Sequence, residues 1–297
     1  MRVMKIFDPR IHAPESFAIE HLRHVASKLG ISLPTRIRCM ETNSYFLVRF
    51  PHQGEEWVYR YAISGGKRIQ RLVLAFEHFS NTSFMPKCLY FDEACLIEQY
   101  AGESHTEDTL SDDQLKLLAC SLSSIHAKSS QGFGWLLYDR QGEHQSLQGF
   151  IHWTESDLRH VEEQKILTGQ ELSRLKNLCR FQERWNEKIP GLVHGDVRLE
   201  NLHWHGTHLK MIDWDRIGSM PREYDFLRLV SQIPTKKMQT LLKNYQYSEH
   251  LDWSFIRYFA LLDSLRHLVN NRDDTGIFQR AATRIKLIMD QSDRSPG

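Results

Sequence analysis

Apolar residues recur at helical spacing between Pro14 and Leu29, where Ala18, Leu22, Val25, Ala26 and Leu29 share one face. Gly30 follows at once and predicts the C-terminal stop of that helix. The pattern then turns to short strand-like runs at Arg36–Met40, Tyr45–Phe50 and Trp57–Ala62, the last two joined by a hairpin-type connection, Pro51-His52-Gln53-Gly54. Ser64-Gly65-Gly66 breaks the pattern before a helical run to about Phe79, and a strand pair follows at Cys88–Phe91 and Ala94–Gln99. Beyond residue 100 the pattern is mostly helical. Ser111-Asp112-Asp113-Gln114 and Thr168-Gly169-Gln170-Glu171 both read as capping boxes, the second opening a helix expected to run to about Lys188. Gly191–His194 and Leu209–Ile212 read as short strands. Pro221 stands near the start of a further helix, and helices are predicted near Thr235–Tyr245, Trp253–Val269 and Ile277–Met289, ahead of a frayed tail from Asp293. No internal repeat or low-complexity segment interrupts this order. The pattern predicts an α+β chain: a small lobe of about 100 residues, then a larger helical lobe with a short β insertion.

Composition narrows the class. A length of 297 residues suggests about two domains or one two-lobed unit, and 41% hydrophobic with 25% charged residues is an ordinary globular balance. The net charge of +1 leaves no global footprint for nucleic acid, so no nucleic-acid partner is expected. No stretch approaches the ~20 apolar residues of a membrane span, so no membrane insertion is expected. Lys5, Asp8 and Arg10 interrupt the N-terminal stretch, against a signal peptide. Five cysteines with no CxxC pair fit a reducing, cytoplasmic setting.

The residues with chemistry cluster in the β insertion. His194-Gly195-Asp196-Val197-Arg198-Leu199-Glu200-Asn201 is followed twelve residues later by Asp213, in Ile212-Asp213-Trp214-Asp215. Phosphoryl transfer needs a carboxylate to orient or deprotonate the attacking hydroxyl, and oxygen ligands to hold Mg²⁺ against nucleotide phosphates. Asp196 is the candidate base. Asn201 and Asp213 are the candidate ligands for magnesium, a hard ion that takes carboxylate and amide oxygens.

These motifs resemble the aminoglycoside phosphotransferase/choline kinase/thiamine kinase group of the protein-kinase-like fold, over most of the chain. Thr42-Asn43-Ser44-Tyr45-Phe46-Leu47-Val48 looks like the nucleotide loop and Trp57-Val58-Tyr59-Arg60 like the third strand. Leu96 to Glu103 resembles the hinge, Ile125-His126 a helix end, and Gly218, Pro221 and Asp225 the closing stretch. Phe133-Gly134-Trp135, followed by Phe150-Ile151, resembles a segment of antibiotic phosphotransferases. The resemblance implies a two-lobed protein-kinase-like fold, with a small antiparallel-sheet lobe at 1–100 that binds nucleotide and a helical lobe at 101–297 with the catalytic loop and substrate helices. It implies ATP and Mg²⁺ as cofactors. Asn43, Ser44 and Arg60 are its nucleotide contacts, and the backbone near Glu98 and Tyr100 would hold the adenine. Arg198 is matched to a kinase lysine that approaches the γ-phosphate, with a surface arginine as the alternative.

Several departures from the family pattern matter. No G-x-G-x-x-G loop is present, and Arg60 replaces lysine with a planar fork. Glu77 is the best match for the helix glutamate expected to pair with Arg60. Gly65-Gly66-Lys67-Arg68 reads either as a phosphate nest or as a turn with a solvated basic pair. His203, His205 and His208 read as a solvated hairpin rather than a zinc site, since no further ligand is near. Trp135, Trp153 and Trp253 form a cage for a quaternary ammonium or, by default, pack in the core. Asp225 is expected to tie the loop after Asp213 to the next helix.

The acceptor is expected to be a small-molecule hydroxyl, because only eleven residues separate Asp213 from Asp225 and no A-P-E follows. The compact chain, Thr42-Asn43 and Arg60 favour an amino alcohol or vitamin alcohol of choline, ethanolamine or thiamine type. An aminoglycoside-type antibiotic is the alternative. A nucleotide-binding pseudokinase acting as an interaction module is the alternative of another class. Glu155, Asp157, Asp252 and Asp263 are either attractors for a cationic substrate or a normal charged helix surface. The sequence does not assign an oligomeric state.

Overall fold

The computed structural model describes residues 15–42, 44–63, 66–104, 110–152, 154–205, 207–270 and 274–292. In chain order the elements are α1 (Glu15–Leu29), β1 (Cys39–Glu41), β2 (Tyr45–His52), β3 (Glu55–Ala62), α2 (Lys67–Phe79), β4 (Cys88–Phe91), β5 (Cys95–Gln99) and β6 (Glu103–Ser104). Then come α3 (Asp112–His126), β7 (Phe133–Leu136), β8 (Gly142–His144), α4 (Leu147–Phe150), α5 (Thr154–Glu163), α6 (Gly169–Leu178) and β9 (Gly191–Val193). The chain continues through β10 (Leu202–His205), β11 (His208–Met211), β12 (Gly218–Met220), α7 (Leu229–Gln232), α8 (Thr235–Asn244), α9 (Trp253–Asn270) and α10 (Thr275–Ser292). It divides into two compact units, Met1–His105 with Glu200–Ile217, and Thr106–Leu199 with Gly218–Gly297.

The first unit is built on an antiparallel sheet in the order β1-β2-β3-β5-β4. Gln53 and Gly54 both have positive φ, 53° and 78°, the backbone of the two-residue turn whose twist matches its flanking strands. The strand period of two then sorts the side chains. Val48, Phe50, Trp57, Tyr59, Cys95 and Ile97 pack against Leu22, Val25 and Ala26 of α1. His21 fastens this face: one ring nitrogen meets the Tyr59 hydroxyl at 3.0 Å and the other the Asp92 carboxylate at 3.3 Å. Burial raises the Cys95 thiol, in keeping with an inert core cysteine. The alternate residues, Tyr45, Leu47, Arg49, Val58, Arg60 and Glu98, fall on the opposite face. Helix α2 packs through Ile69, Leu72, Ala75, Phe76 and Phe79. Gly66, just before it, has no room for a side chain, since a Cβ there would meet the Glu93 carbonyl oxygen at 2.4 Å.

The second unit holds the sheet β8-β7-β12-β9 and the helical core. Both capping boxes form as the sequence predicts, at Ser111/Gln114 and Thr168/Glu171. The helix after Thr168 ends at Leu178, short of the expected Lys188. The chain instead tightens into a 3-10 turn at Glu183–Glu187, which buries Trp185 with its ring 4.5 Å from Tyr258 and 5.1 Å from Phe255. Burial of this indole outweighs the local preference for more helix. After Pro221 the chain likewise forms a 3-10 turn, Arg222–Phe226. Among the described residues, no helix is long and apolar enough to cross a membrane.

Candidate active site

In the first unit the spacing of Asn201 and Asp213 has a direct structural meaning. Strands β10 and β11 form a hairpin that pairs Leu202 with Met211, and the Ile212 amide donates to the Asn201 carbonyl at 3.0 Å. Asn201 and Asp213 therefore flank the same end of one hairpin. Asn201 is buried and Asp213 half-buried. Asp213 is held at φ 64°, ψ 50°, a left-handed conformation that a short polar side chain tolerates better than most residues. Trp214 anchors the turn: it is buried, donates from Nε1 to the Met211 carbonyl at 2.7 Å, and stacks near Phe79 and Phe84.

Two ion pairs surround this end. Arg60 on β3 pairs with Glu98 on β5, and both are buried. Burial works against the Arg60 charge, but Glu98 and Asp213 outweigh it and raise its pKa further. Arg68, in the first turn of α2, donates to Asp215 at 2.8 Å and to the Ser44 hydroxyl. The partner of Arg60 is thus Glu98, and Glu77 lies exposed on α2. The sequence expectation fails here because strand pairing of β3 with β5 sets Arg60 directly against the neighbouring strand. Of the basic pair after Gly66, Arg68 serves Asp215 and Ser44, and Gly65 lies outside the described residues. A cleft of about 770 Å³ opens in this unit, with Leu47, Val58, Ala101 and Ile212 as apolar wall and Arg60 and Glu98 as charged lining. The amides of Gln99 and Tyr100 donate internally, to the carbonyls of Lys87 and Glu56. Arg49 lies over the Tyr100 ring at 3.6 Å.

In the second unit the loop after β9 carries Asp196. Gly195 adopts φ 83°, and the Asp225 carboxylate accepts from the amides of His194 and Gly195 at 2.9 and 2.8 Å. His126, at the end of α3, closes the arrangement, with its ring nitrogens 3.1 Å from Asp225 and 2.6 Å from the Tyr245 hydroxyl. Asp225 therefore ties the catalytic loop itself, not the loop after Asp213. His194 accepts the Asp196 amide at Nδ1, 3.2 Å away, and so fixes the loop rather than acting as a base. Asp196 is buried, with Arg228 Nη1 2.5 Å and Arg198 Nε 3.7 Å from its carboxylate.

Arg228 escaped the sequence reading, although a basic residue inside Phe226-Leu227-Arg228-Leu229-Val230 was the available signal. It also meets Asp263 of α9 at 3.2 Å, and Asp263 meets Arg284 of α10 at 3.0 Å. Burial would raise the Asp263 carboxyl, but Arg228, His267 and Arg284 together hold it below the usual range. Asp263 is therefore no open attractor for a cationic substrate. Neither are Asp157, paired with Arg266 at 3.0 Å, nor Asp252, whose carboxylate accepts from the amides of Ser254 and Phe255 and caps α9. Trp135 packs edge-on to Phe150 and Tyr224, with ring centres 5.8 and 5.9 Å away. His203 bonds the Gly102 carbonyl at 2.7 Å. Asn43 and Trp153 lie outside the described residues.

A family model described as "Phosphotransferase enzyme family" matches residues 2–259. A thermostable mutant of the aminoglycoside phosphotransferase APH(4)-Ia, in a ternary complex with AMP-PNP and hygromycin B, is similar with TM-score 0.67 and 18% identity, over 91% of this chain and 98% of that one. The macrolide 2'-phosphotransferase MphH from Brachybacterium faecium is similar with TM-score 0.63 and 13% identity, over 92% and 98% of the two chains. The APH(2")-IIa of a gentamicin complex gives TM-score 0.64 and 15% identity, over 93% and 96%. At these identities the likeness is one of fold, the two-lobed kinase-like fold the motifs imply. No curated protein matches the chain.

Proposed function

Because the chain belongs to the phosphotransferase enzyme family, as a small-molecule phosphotransferase, we propose that it moves the γ-phosphoryl group of ATP, with Mg²⁺, to a hydroxyl of an antibiotic-type small molecule. The observation that carries the reading is the hairpin that presents Asn201 and Asp213 at one end, with Asp213 locked in a left-handed backbone. These two side chains form a hard-oxygen donor set that fits magnesium. Magnesium held there would neutralise charge on the phosphoryl oxygens during transfer. Arg60 would add a permanent cation for the phosphates, and the apolar wall of Leu47, Val58, Ala101 and Ile212 would seat the base. With the amides of Gln99 and Tyr100 engaged internally, apolar contact carries more of the base binding than a backbone cradle would. Asp196 would orient the acceptor hydroxyl and take its proton, and Arg198 would face the transferred group.

The acceptor preference differs from the one the sequence favoured. Choline-, ethanolamine- or thiamine-type alcohols find no counterpart among the similar structures described, whose names point to hygromycin B, gentamicin and macrolides. An antibiotic-type acceptor is therefore the better-supported reading. Its recognition does not rest on Asp157, Asp252 or Asp263, which are engaged within the chain.

The test is coupled ADP release with Mg–ATP and a panel of hygromycin B, gentamicin, a macrolide, choline, ethanolamine and thiamine. Turnover is expected with an antibiotic arm only. Asp196→Ala should lower it by roughly 10²–10⁴-fold while leaving nucleotide binding intact. Asp213→Ala should abolish magnesium-dependent nucleotide binding. Wild-type turnover by Asp196→Ala would remove the mechanism, and turnover with choline, ethanolamine or thiamine alone would remove the acceptor class.

A further inference from the structure

Tyr45 presents a buried polar atom for which the fold supplies no partner. The residue is 3% exposed, and its hydroxyl makes no hydrogen bond among the described residues. A buried, unsatisfied hydroxyl is costly, on the order of 1–3 kcal/mol, and native proteins rarely keep one without a reason. Its surroundings supply one. Strand alternation sets Tyr45 on the sheet face that carries Leu47, Val58 and Arg60, opposite the α1 face. The Arg60 guanidinium carbon lies 5.8 Å from the Tyr45 ring centre. Burial and the charges of Asp215 and Asp213 raise the phenol well above its ordinary pKa, against the pull of Arg60 and Arg68, so it stays a protonated donor at neutral pH.

The backbone just before Tyr45 sharpens the point. A glycine-rich nucleotide loop offers its amides to phosphate. Here Thr42 Oγ1 accepts from the amides of Ser44 and Tyr45 at 3.3 and 3.0 Å, and Arg68 donates to the Ser44 hydroxyl. The amides of residues 44 and 45 are engaged inside the turn. With these two amides engaged, the Tyr45 hydroxyl is a donor left over on this strand.

We propose that the Tyr45 hydroxyl is a phosphate-binding group, donating to an anionic oxygen of the bound Mg–nucleotide in place of the Ser44 and Tyr45 amides, which are engaged within the turn. The inference rests on the nucleotide reading above.

The experiment compares wild type with Tyr45→Phe, which removes one oxygen and keeps the ring. Apo thermal unfolding is measured, together with calorimetric binding of Mg–ATP, Mg–ADP and adenosine without acceptor. The expected result has three parts. Apo Tyr45→Phe melts no lower than wild type, because the lost hydroxyl had no partner. Mg–ATP binds about tenfold more weakly, in line with a lost hydrogen bond to a charged group. Adenosine binding is unchanged. A lower apo melting temperature would mean a structural partner and would overturn the proposal. So would unchanged Mg–ATP affinity, or an equal loss for adenosine, which would make Tyr45 part of the pocket's shape. Failure of the wild type to bind any nucleotide would overturn the nucleotide reading and this inference together, an outcome distinct from the other three.

Discussion

At the scale of single residues, Asp196 sits at the end of a buried charge chain that runs through Arg228 and Asp263 to Arg284. Removing one member leaves its ion-pair partners charged in a low-dielectric setting. Asp263→Asn should destabilise the protein by about 3 kcal/mol, the lower end for breaking a buried pair, because Arg228 keeps Asp196. The pH dependence follows from the direction of the shift. The folded carboxyl of Asp263 is held down, so its contribution is present above the unfolded value of about 4 and is lost as pH falls through the folded value. Denaturant unfolding between pH 7 and pH 3 should show wild type losing more stability than Asp263→Asn. Equal slopes would count against the coupling. Asp196, Asn201 and Asp213 were legible in the sequence as candidates because their pattern lies within one short segment. Arg228 and Glu98 were not, because their partners lie 32 or more residues away in the chain and only packing brings them near.

At the scale of elements, the signals that held were local ones. Capping boxes, the Gln53-Gly54 turn and the helix stop at Gly30 depend on a few adjacent residues, and each forms as its sequence predicts. The helix expected to reach Lys188 ended early because Trp185 found a buried partner set on α9, which no local propensity records. Gly66 falls between these cases. Its φ of −71° suits any residue, so the sequence alone offers no reason for glycine there. Its close approach to the Glu93 carbonyl supplies that reason. Gly66→Ala should cost about 1–3 kcal/mol in denaturant unfolding, the usual penalty of overpacking. By shifting α2 it should also weaken Mg–ATP binding through the Arg68–Asp215 pair. Wild-type stability in this variant would show that the backbone gives way freely at that point.

At the scale of the whole molecule, the predicted two-part order is realised with a discontinuity in the chain. Residues 200–217 leave the helical unit and pack with the N-terminal one. The candidate catalytic segment is thereby divided, with Asp196 in one unit and Asn201 and Asp213 in the other. Nucleotide binding should be visible as stability. Mg–ATP at one hundred times its dissociation constant should add about 2.7 kcal/mol and raise the melting temperature by about 5 °C. Chelation of magnesium, or Asp213→Ala, should remove that gain, and a gain that survives both would speak against Asp213 as a metal ligand. By itself the sequence determined the family and the reaction class and singled out the candidate segment from His194 to Asp213, since these are written in short spacings that local hydrogen bonding converts directly into turns and a hairpin. Only the tertiary structure decided which charges neutralise which, that Asp157, Asp252 and Asp263 are engaged within the helical unit, and that the Tyr45 hydroxyl is buried without a partner among the described residues. Those outcomes depend on desolvation and on contacts between distant segments, which periodicity along the chain does not encode.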